Sequence, residues 1–287
     1  MRKKGGLMRL SYGLAAGLIG LSVSQTQAQS IDGFLTNVAS TLGDVTDTIL
    51  PGVTNIRIGI GPVYMPAYEG SDDYKIKAAP LISLRYRDLI RIDNNRIRVN
   101  VFGSESLFRS ENFKAGPMVK LDFGRDQDDS TDLAGLGNVG TSLELGLFAS
   151  YTAGPTRIRV RGRQDVASGH SGMLITTDLG VSIYRDTRLT VTGSLSATWA
   201  DNDYMDSYFS VTATQASASG LTAYNASSSF KDVTFAVGAN YAISHRWNLA
   251  GNAGYSKLLK DAKNSPIVSV RGDSNQFVTG LFAIYSF

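Results

Sequence analysis

The sequence predicts an all-β protein of outer-membrane type: a transmembrane antiparallel β-barrel of twelve strands, with ten as the alternative, preceded by a short amphipathic helix. Three observations predict it. The chain opens with an export leader, then carries long runs of two-residue hydrophobic periodicity to its end, and its last residue is aromatic.

The leader is built from three parts. Arg2, Lys3, Lys4 and Arg9 form a positive region, residues 10–23 an apolar one, and Thr26-Gln27-Ala28 a small-residue cleavage site. The apolar run is shorter than the roughly 20 residues that span a bilayer, and it has no stop-transfer flank. Residues 1–28 therefore read as a signal peptide. Removing its four cations from the 28 basic residues leaves 24 against 25 acidic ones, so the mature chain is near neutral and the overall +3 is no nucleic-acid footprint. A charged fraction of 18% argues against disorder. The absence of cysteine removes disulfide frameworks, zinc–cysteine clusters and thiol nucleophiles.

Residues 29–52 read as a periplasmic amphipathic helix and linker. Ile31, Phe34, Leu35, Val38, Leu42, Val45 and Ile49 share one helical face, and Pro51-Gly52 ends the segment. Such a helix packs on the adjoining barrel or lies at a membrane interface.

Residues 53–287 read as the barrel. Ile56, Ile58 and Ile60 alternate with Asn55, Arg57 and Gly59, and Leu143, Leu145, Leu147, Ala149 and Tyr151 alternate with Ser142, Glu144, Gly146 and Ser150. The runs are about 10 to 14 residues long, against five or six for globular strands, and suit a tilted bilayer crossing. A soluble sandwich alternates too, so the polar side decides. Arg157, Arg159, Arg161 and Arg163 occupy one face of a single strand, which a wet lumen accommodates. A turn at Ala153-Gly154 would set Glu144 opposite Arg163, with Leu147 on Val160 and Ala149 on Ile158. A turn at 185–187 would set Ile183 opposite Leu189, and one at 244–246 Ile243 opposite Trp247. The final strand, with Leu281, Ala283, Tyr285 and Phe287 outward, resembles a barrel-insertion signal centred on Phe287 and Tyr285.

Eleven long segments are visible, and a bacterial single-chain barrel needs an even number. The missing strand is sought at 89–93, 208–213 or 267–271, with 88–95 favoured. Counting back from a periplasmic Phe287 places the short turns inside and the long segments 126–138, 201–231 and 261–274 outside.

Three stretches resemble the MipA/OmpV family of MltA-interacting outer-membrane proteins. They are Gly59-Ile-Gly61-Pro-Val-Tyr64-Met-Pro66-Ala-Tyr68-Glu-Gly70 with Pro80-Leu-Ile, then Trp199-Ala-Asp201-Asn202-Asp-Tyr204-Met205 running through Lys231-Asp232-Val233, and Tyr255-Ser-Lys-Leu258 with Ser265-Pro266-Ile267-Val268 and Tyr285-Ser-Phe287. The resemblance implies an outer-membrane location and a scaffold tying a lytic transglycosylase to a peptidoglycan synthase. It implies no catalytic residue and no cofactor, and nothing is carried to 31–50.

Other chemistry is weakly supported. A Ser–His site has only His170 and His245 to draw on, and Gly169 and Gly172 account for a tight turn around the first. The acidic runs at Asp126–Asp132 and Asp201–Asp206 lack a calcium-loop pattern, so no metal is expected. Arg157, Arg159, Arg161 and Arg163, with Arg96 and Arg98, either favour anions in an open lumen or pair with Glu144, Asp122 and Asp165 in a packed one. The narrowness of a ten- or twelve-stranded barrel favours packing. In 201–231, Tyr204, Tyr208, Phe209 and Tyr224 read either as a partner surface or as a loop packed on itself. The function expected is a non-enzymatic scaffold anchored in outer-membrane lipid. The alternatives are a narrow anion-preferring channel and a surface adhesin.

Overall fold

The computed structural model describes residues 55–287. The expected leader and the amphipathic segment at 29–52 lie outside the described residues. Twelve antiparallel strands form one closed barrel. They are β1 Asn55–Pro66, β2 Tyr74–Tyr86, β3 Ile90–Asp93, β4 Arg96–Val99, β5 Phe113–Asp122, β6 Ser142–Ala153, β7 Thr156–Asp165, β8 Met173–Arg185, β9 Leu189–Ala200, β10 Ser229–Ala242, β11 Trp247–Leu258 and β12 Asn275–Ser286. Each pairs with its sequence neighbour, and β12 returns to β1 through Arg57 opposite Ser286 to Tyr64 opposite Thr279. Two further two-residue strands, Phe102–Gly103 and Phe108–Arg109, sit in the loop between β4 and β5.

The alternation is inside-out relative to a soluble protein. Ile60, Ile76, Leu147 and Ile243 lie on the outer face and are more than half exposed, whereas Arg96 and Glu144 face inward at 2% and 1% exposure. That arrangement is stable only with hydrocarbon outside. Aromatic pairs mark both rims. Trp247 and Phe287 pack edge-on against Tyr285 near the short turns, and Tyr64 stacks on Tyr74 at 4.9 Å near the long loops. One sector of the inner wall is apolar: Val63, Met65, Ala79, Leu81, Ala250, Phe282 and Ile284 form a buried cluster. The β1–β12 seam is tight there, since a Cβ on Gly61 would stand 1.8 Å from the Leu281 carbonyl oxygen.

The strand hidden from the hydrophobic pattern is β3, within the favoured 88–95 interval. It escapes notice because β3 and β4 have four residues each, too short for a periodicity to declare itself. The other two candidates, 208–213 and 267–271, belong to helical loops.

The short β3–β4 hairpin leaves the wall low at that point, and β4 meets β5 through only Arg96–Lys120, Ile97–Val119 and Arg98–Met118. The asparagines at its tip finish the exposed ladder on both sides. Asn94, at φ 47°, donates its N–H to the Ile82 carbonyl at 2.8 Å and accepts from the Ile82 N–H through Oδ1 at 2.7 Å. The Asn95 carbonyl accepts from the Leu121 N–H at 2.9 Å and its Nδ2 donates to the Leu121 carbonyl. The next β2 residue on the same side is Pro80, which has no N–H to satisfy. Above it, the Lys75 ammonium reaches the Asp129 carbonyl in the loop after β5.

Asn94→Gly keeps the backbone conformation but strips the Ile82 N–H of its acceptor. We expect it to lower barrel stability by about 1 kcal/mol, the low end of the cost of an orphaned donor, because the group is part-buried. Chemical unfolding in detergent or lipid vesicles checks this.

Candidate functional site inside the barrel

β7 turns Arg157, Arg159, Arg161 and Arg163 to the same side because strand residues alternate, and the last three are under 10% exposed. Its register on β6 differs from the sequence expectation by two residues. Gly154, at φ 55°, is the first central residue of the turn and Pro155 the second, so Ala153 pairs with Thr156 and Glu144 lies opposite Asp165 rather than Arg163. Likewise Leu147 faces Gly162 and Ala149 faces Val160. A two-residue shift leaves every side chain on its expected face, and Arg163 Nη1 still reaches Glu144 Oε2 diagonally at 3.4 Å. The β8–β9 expectation fails for another reason. A bulge between Ser182 and Tyr184 leaves Ile183 without a partner, and Asp186 Oδ1 accepts from the Arg188 and Leu189 N–H groups at 2.7 Å to hold the turn. The β10–β11 turn matches: the Ile243 N–H donates to the Trp247 carbonyl at 2.9 Å.

The interior is a web of ion pairs. Asp93 Oδ2 receives Arg91 Nε at 2.8 Å and Arg98 Nη2 at 2.9 Å. Lys120 Nζ meets Asp122 at 2.7 Å and Glu144 at 3.8 Å, and Arg161 Nη2 meets Asp178 at 2.7 Å. Arg98 also stands over the Phe148 ring at 5.8 Å. Two chambers remain. The larger, about 720 Å³, is lined by Arg85, Arg91, Arg98, Arg157 and Arg159 with Asp88 and Asp178. The smaller, about 220 Å³, lies between Arg96, Lys120, Arg161, Arg163 and Tyr204.

The long loops close one end. Helix α1, Asn202–Phe209, is capped by Asp201 Oδ1 accepting from the Tyr204 N–H at 3.0 Å, and is succeeded by α2, Ala213–Ser219. The loop between β11 and β12 adds α3 Lys260–Asn264 and α4 Pro266–Ser269. α1 buries Tyr204, Met205, Tyr208 and Phe209, the two i, i+4 pairs of one stripe. Tyr204 packs edge-on against the fully buried His170 at 5.0 Å and on Tyr208 at 4.6 Å. Arg125 Nη1 donates to the Tyr208 carbonyl at 2.8 Å, and Ser265 Oγ to the Phe209 carbonyl at 2.6 Å. Arg271 ties three other loops to its own, donating to the Asp132 carbonyl at 2.7 Å and to the Ser219 carbonyl while its own carbonyl accepts from Tyr68 at 2.8 Å. Burial pushes the Tyr204 and Tyr208 hydroxyls well above the ordinary phenol range and lowers the Arg125 guanidinium.

These contacts correct the reading of Tyr204, Tyr208 and Phe209 as exposed partner anchors: they are at most 6% exposed, because α1 turns its apolar stripe toward the barrel. Tyr224 is half-buried, its hydroxyl on the Asp261 carbonyl at 3.2 Å. The segment therefore packs on itself as a helix pair. Sequence reasoning missed Arg125, Arg271 and the Glu69–Lys231–Asp232 ion-pair group. Arg125, Arg271 and Glu69 carry no local signal, since their partners lie far away in the chain, and the adjacent Lys231-Asp232 pair gives no sign of Glu69. The helix Asn202–Phe209 was also missed, although the Asp201 cap and the Tyr204–Tyr208 and Met205–Phe209 spacing are signals that would have found it.

Residues 58–287 match the family described as MltA-interacting protein MipA. The putative outer membrane protein YiaT of Escherichia coli K12 is 31% identical over 94 residues, covering 33% of this chain and 37% of that protein. OmpV of Vibrio cholerae is 26% identical over 167 residues, 56% of this chain and 61% of that protein. The chain thus spans less than two thirds of the length of these relatives. Among solved structures it is similar to an outer membrane channel of Pseudomonas putida F1, with TM-score 0.46 and 14% identity over 83% of this chain and 97% of that one. A NanC porin gives TM-score 0.43 and 11% identity over 81% and 99%.

Gly172→Ala tests the cap, because a Cβ there would stand 2.3 Å from the Tyr204 amide nitrogen. Overpacking of this kind costs about 1–3 kcal/mol. We expect limited proteolysis within 201–228 to accelerate about ten-fold or more while the strand signal in circular dichroism is unchanged.

Proposed function

The chain belongs to the MipA family of outer-membrane proteins, and from that premise we propose that it is a non-enzymatic scaffold, anchored in the outer membrane, that holds a lytic transglycosylase of the MltA kind. The family description supplies the partner class. The observation that carries the choice of scaffold over pore is the closed end. Met205, Phe209, Leu133 and Ile267 are each at most 1% exposed within the joined loops, and ion pairs cross the interior below them. A barrel filled in this way supports an anchoring role better than solute flux. In this reading the short-turn end faces the periplasm and presents loop 100–112 and residues 29–52 to the enzyme. A peptidoglycan synthase is a second partner of the same scaffold.

A narrow anion-preferring channel is the other reading, supported by the two arginine-lined chambers. An adhesin loses support with the burial of the aromatic residues it would use.

We expect the full chain in detergent to capture a purified MltA-type transglycosylase, and deletion of 31–50 to weaken capture about ten-fold with the barrel still folded. Failure of the full chain to retain the enzyme would sink the scaffold. In planar bilayers the wild type is expected to be silent. Steady conductance that falls in Arg159→Ala would favour the channel instead.

A further inference from the structure

Arg96 is 2% exposed, lines the smaller chamber, and has no ion pair among the described residues. Its Nε has no hydrogen-bond partner. Asp93 lies directly across the β3–β4 hairpin, but its carboxylate is already occupied by Arg91 and Arg98 on one oxygen and the Ser83 hydroxyl on the other. On the opposite side Arg96 faces Lys120, itself held by Asp122 and Glu144. The charges that bear most on Arg96 are those of Arg161, Arg163 and Arg98, all repulsive, with the attraction of Asp93 the smaller.

A buried guanidinium among like charges is costly unless an anion accompanies it. The chamber is shaped to take one. Arg161 and Arg163 also line it, each with an Nε that makes no hydrogen bond, and the hydroxyls of Thr176, Ser196 and Thr198 add donors. Its charged lining comprises five cationic side chains, Arg96, Lys120, Arg161, Arg163 and Lys231, and three carboxylates, Glu69, Asp122 and Asp232. Asp178 and Glu144 pair with Arg161 and Arg163 from outside the lining, so Arg96 is the lining cation that has no ion pair among the described residues. About 220 Å³ accommodates a small oxyanion with a few waters and is too small for a saccharide chain.

We propose that the smaller chamber is a binding site for a small oxyanion, a phosphate or a carboxylate, held by the planar forks of Arg96, Arg161 and Arg163. The larger chamber is its entry, since Ser196 lines both, and Arg98, Arg157 and Arg159 on its wall draw anions inward. The site stands independently of the scaffold reading, because transglycosylase capture does not report on it.

The test is thermal unfolding and equilibrium dialysis of the full detergent-solubilised chain against inorganic phosphate and, in a separate arm, acetate, with chloride at matched ionic strength as reference. The wild type should show a saturable rise in Tm and saturable retention of one or both oxyanions; the stronger arm says whether the site prefers a tetrahedral or a planar ion. Arg96→Gln should raise Tm in chloride, by removing the uncompensated charge, and weaken oxyanion binding at least ten-fold. Arg96→Lys keeps the charge but not the fork and should weaken binding about ten-fold, which decides the matter if Arg96→Gln does not fold. No saturable effect beyond chloride in the wild type, or wild-type affinity in a folded Arg96 variant, would overturn the site.

Discussion

Everything in this molecule derives from the requirement that no backbone N–H or C=O face hydrocarbon without a partner. Twelve strands meet that requirement by closing on themselves, and the β12–β1 seam does so along most of its length. The β4–β5 seam is thin: it has three residue pairs, and beyond them Asn94 finishes the ladder on β2 and Asn95 the ladder on β5. Pro80 belongs to the same economy, because a residue without an N–H is suited to the stretch of β2 that has no neighbour on that side.

Closure also dictates where charge goes. With lipid outside, the two-residue alternation sends charged side chains inward, and the interior must neutralise what it receives. Glu144 sits among Arg163, Lys120 and His170, and Asp93 serves two arginines at once. Such pairs add little net stability, since desolvation offsets their attraction. They do fix the filling of the lumen, because removing either member strands a buried charge.

This division explains what could be read in the sequence. The faces of the long strands were legible because period two needs only a local pattern, and a register slip of two residues, as at Gly154-Pro155, leaves that pattern untouched. Partners across a hairpin were less legible, because they depend on which residue takes the positive φ or carries a bulge, as Ile183 shows. A four-residue strand such as Ile90–Asp93 falls below the length at which alternation declares itself. The cap's helices were not foreseen. The Tyr204–Tyr208 spacing is the local signal for the first of them, and nothing near it in sequence announces that His170, Arg125 and Ser265 will receive it.

The cap and the filled lumen together give the barrel two unlike ends. At the loop end, apolar packing and Arg271 bind several loops into one body, so opening a path there requires breaking contacts that are buried all at once. At the turn end the larger chamber is bounded, among the described residues, by the Gly154-Pro155 turn and the turn after Arg185, with Ser104 and Glu111 of the β4–β5 loop also on its wall. Among the described residues the less filled part of the interior therefore lies toward the turn end, where Arg157 and Arg159 of β7 line the larger chamber. The two ends of the interior are thus unlike among the described residues: apolar packing fills the loop end, and buried and half-buried arginines line the chamber at the turn end.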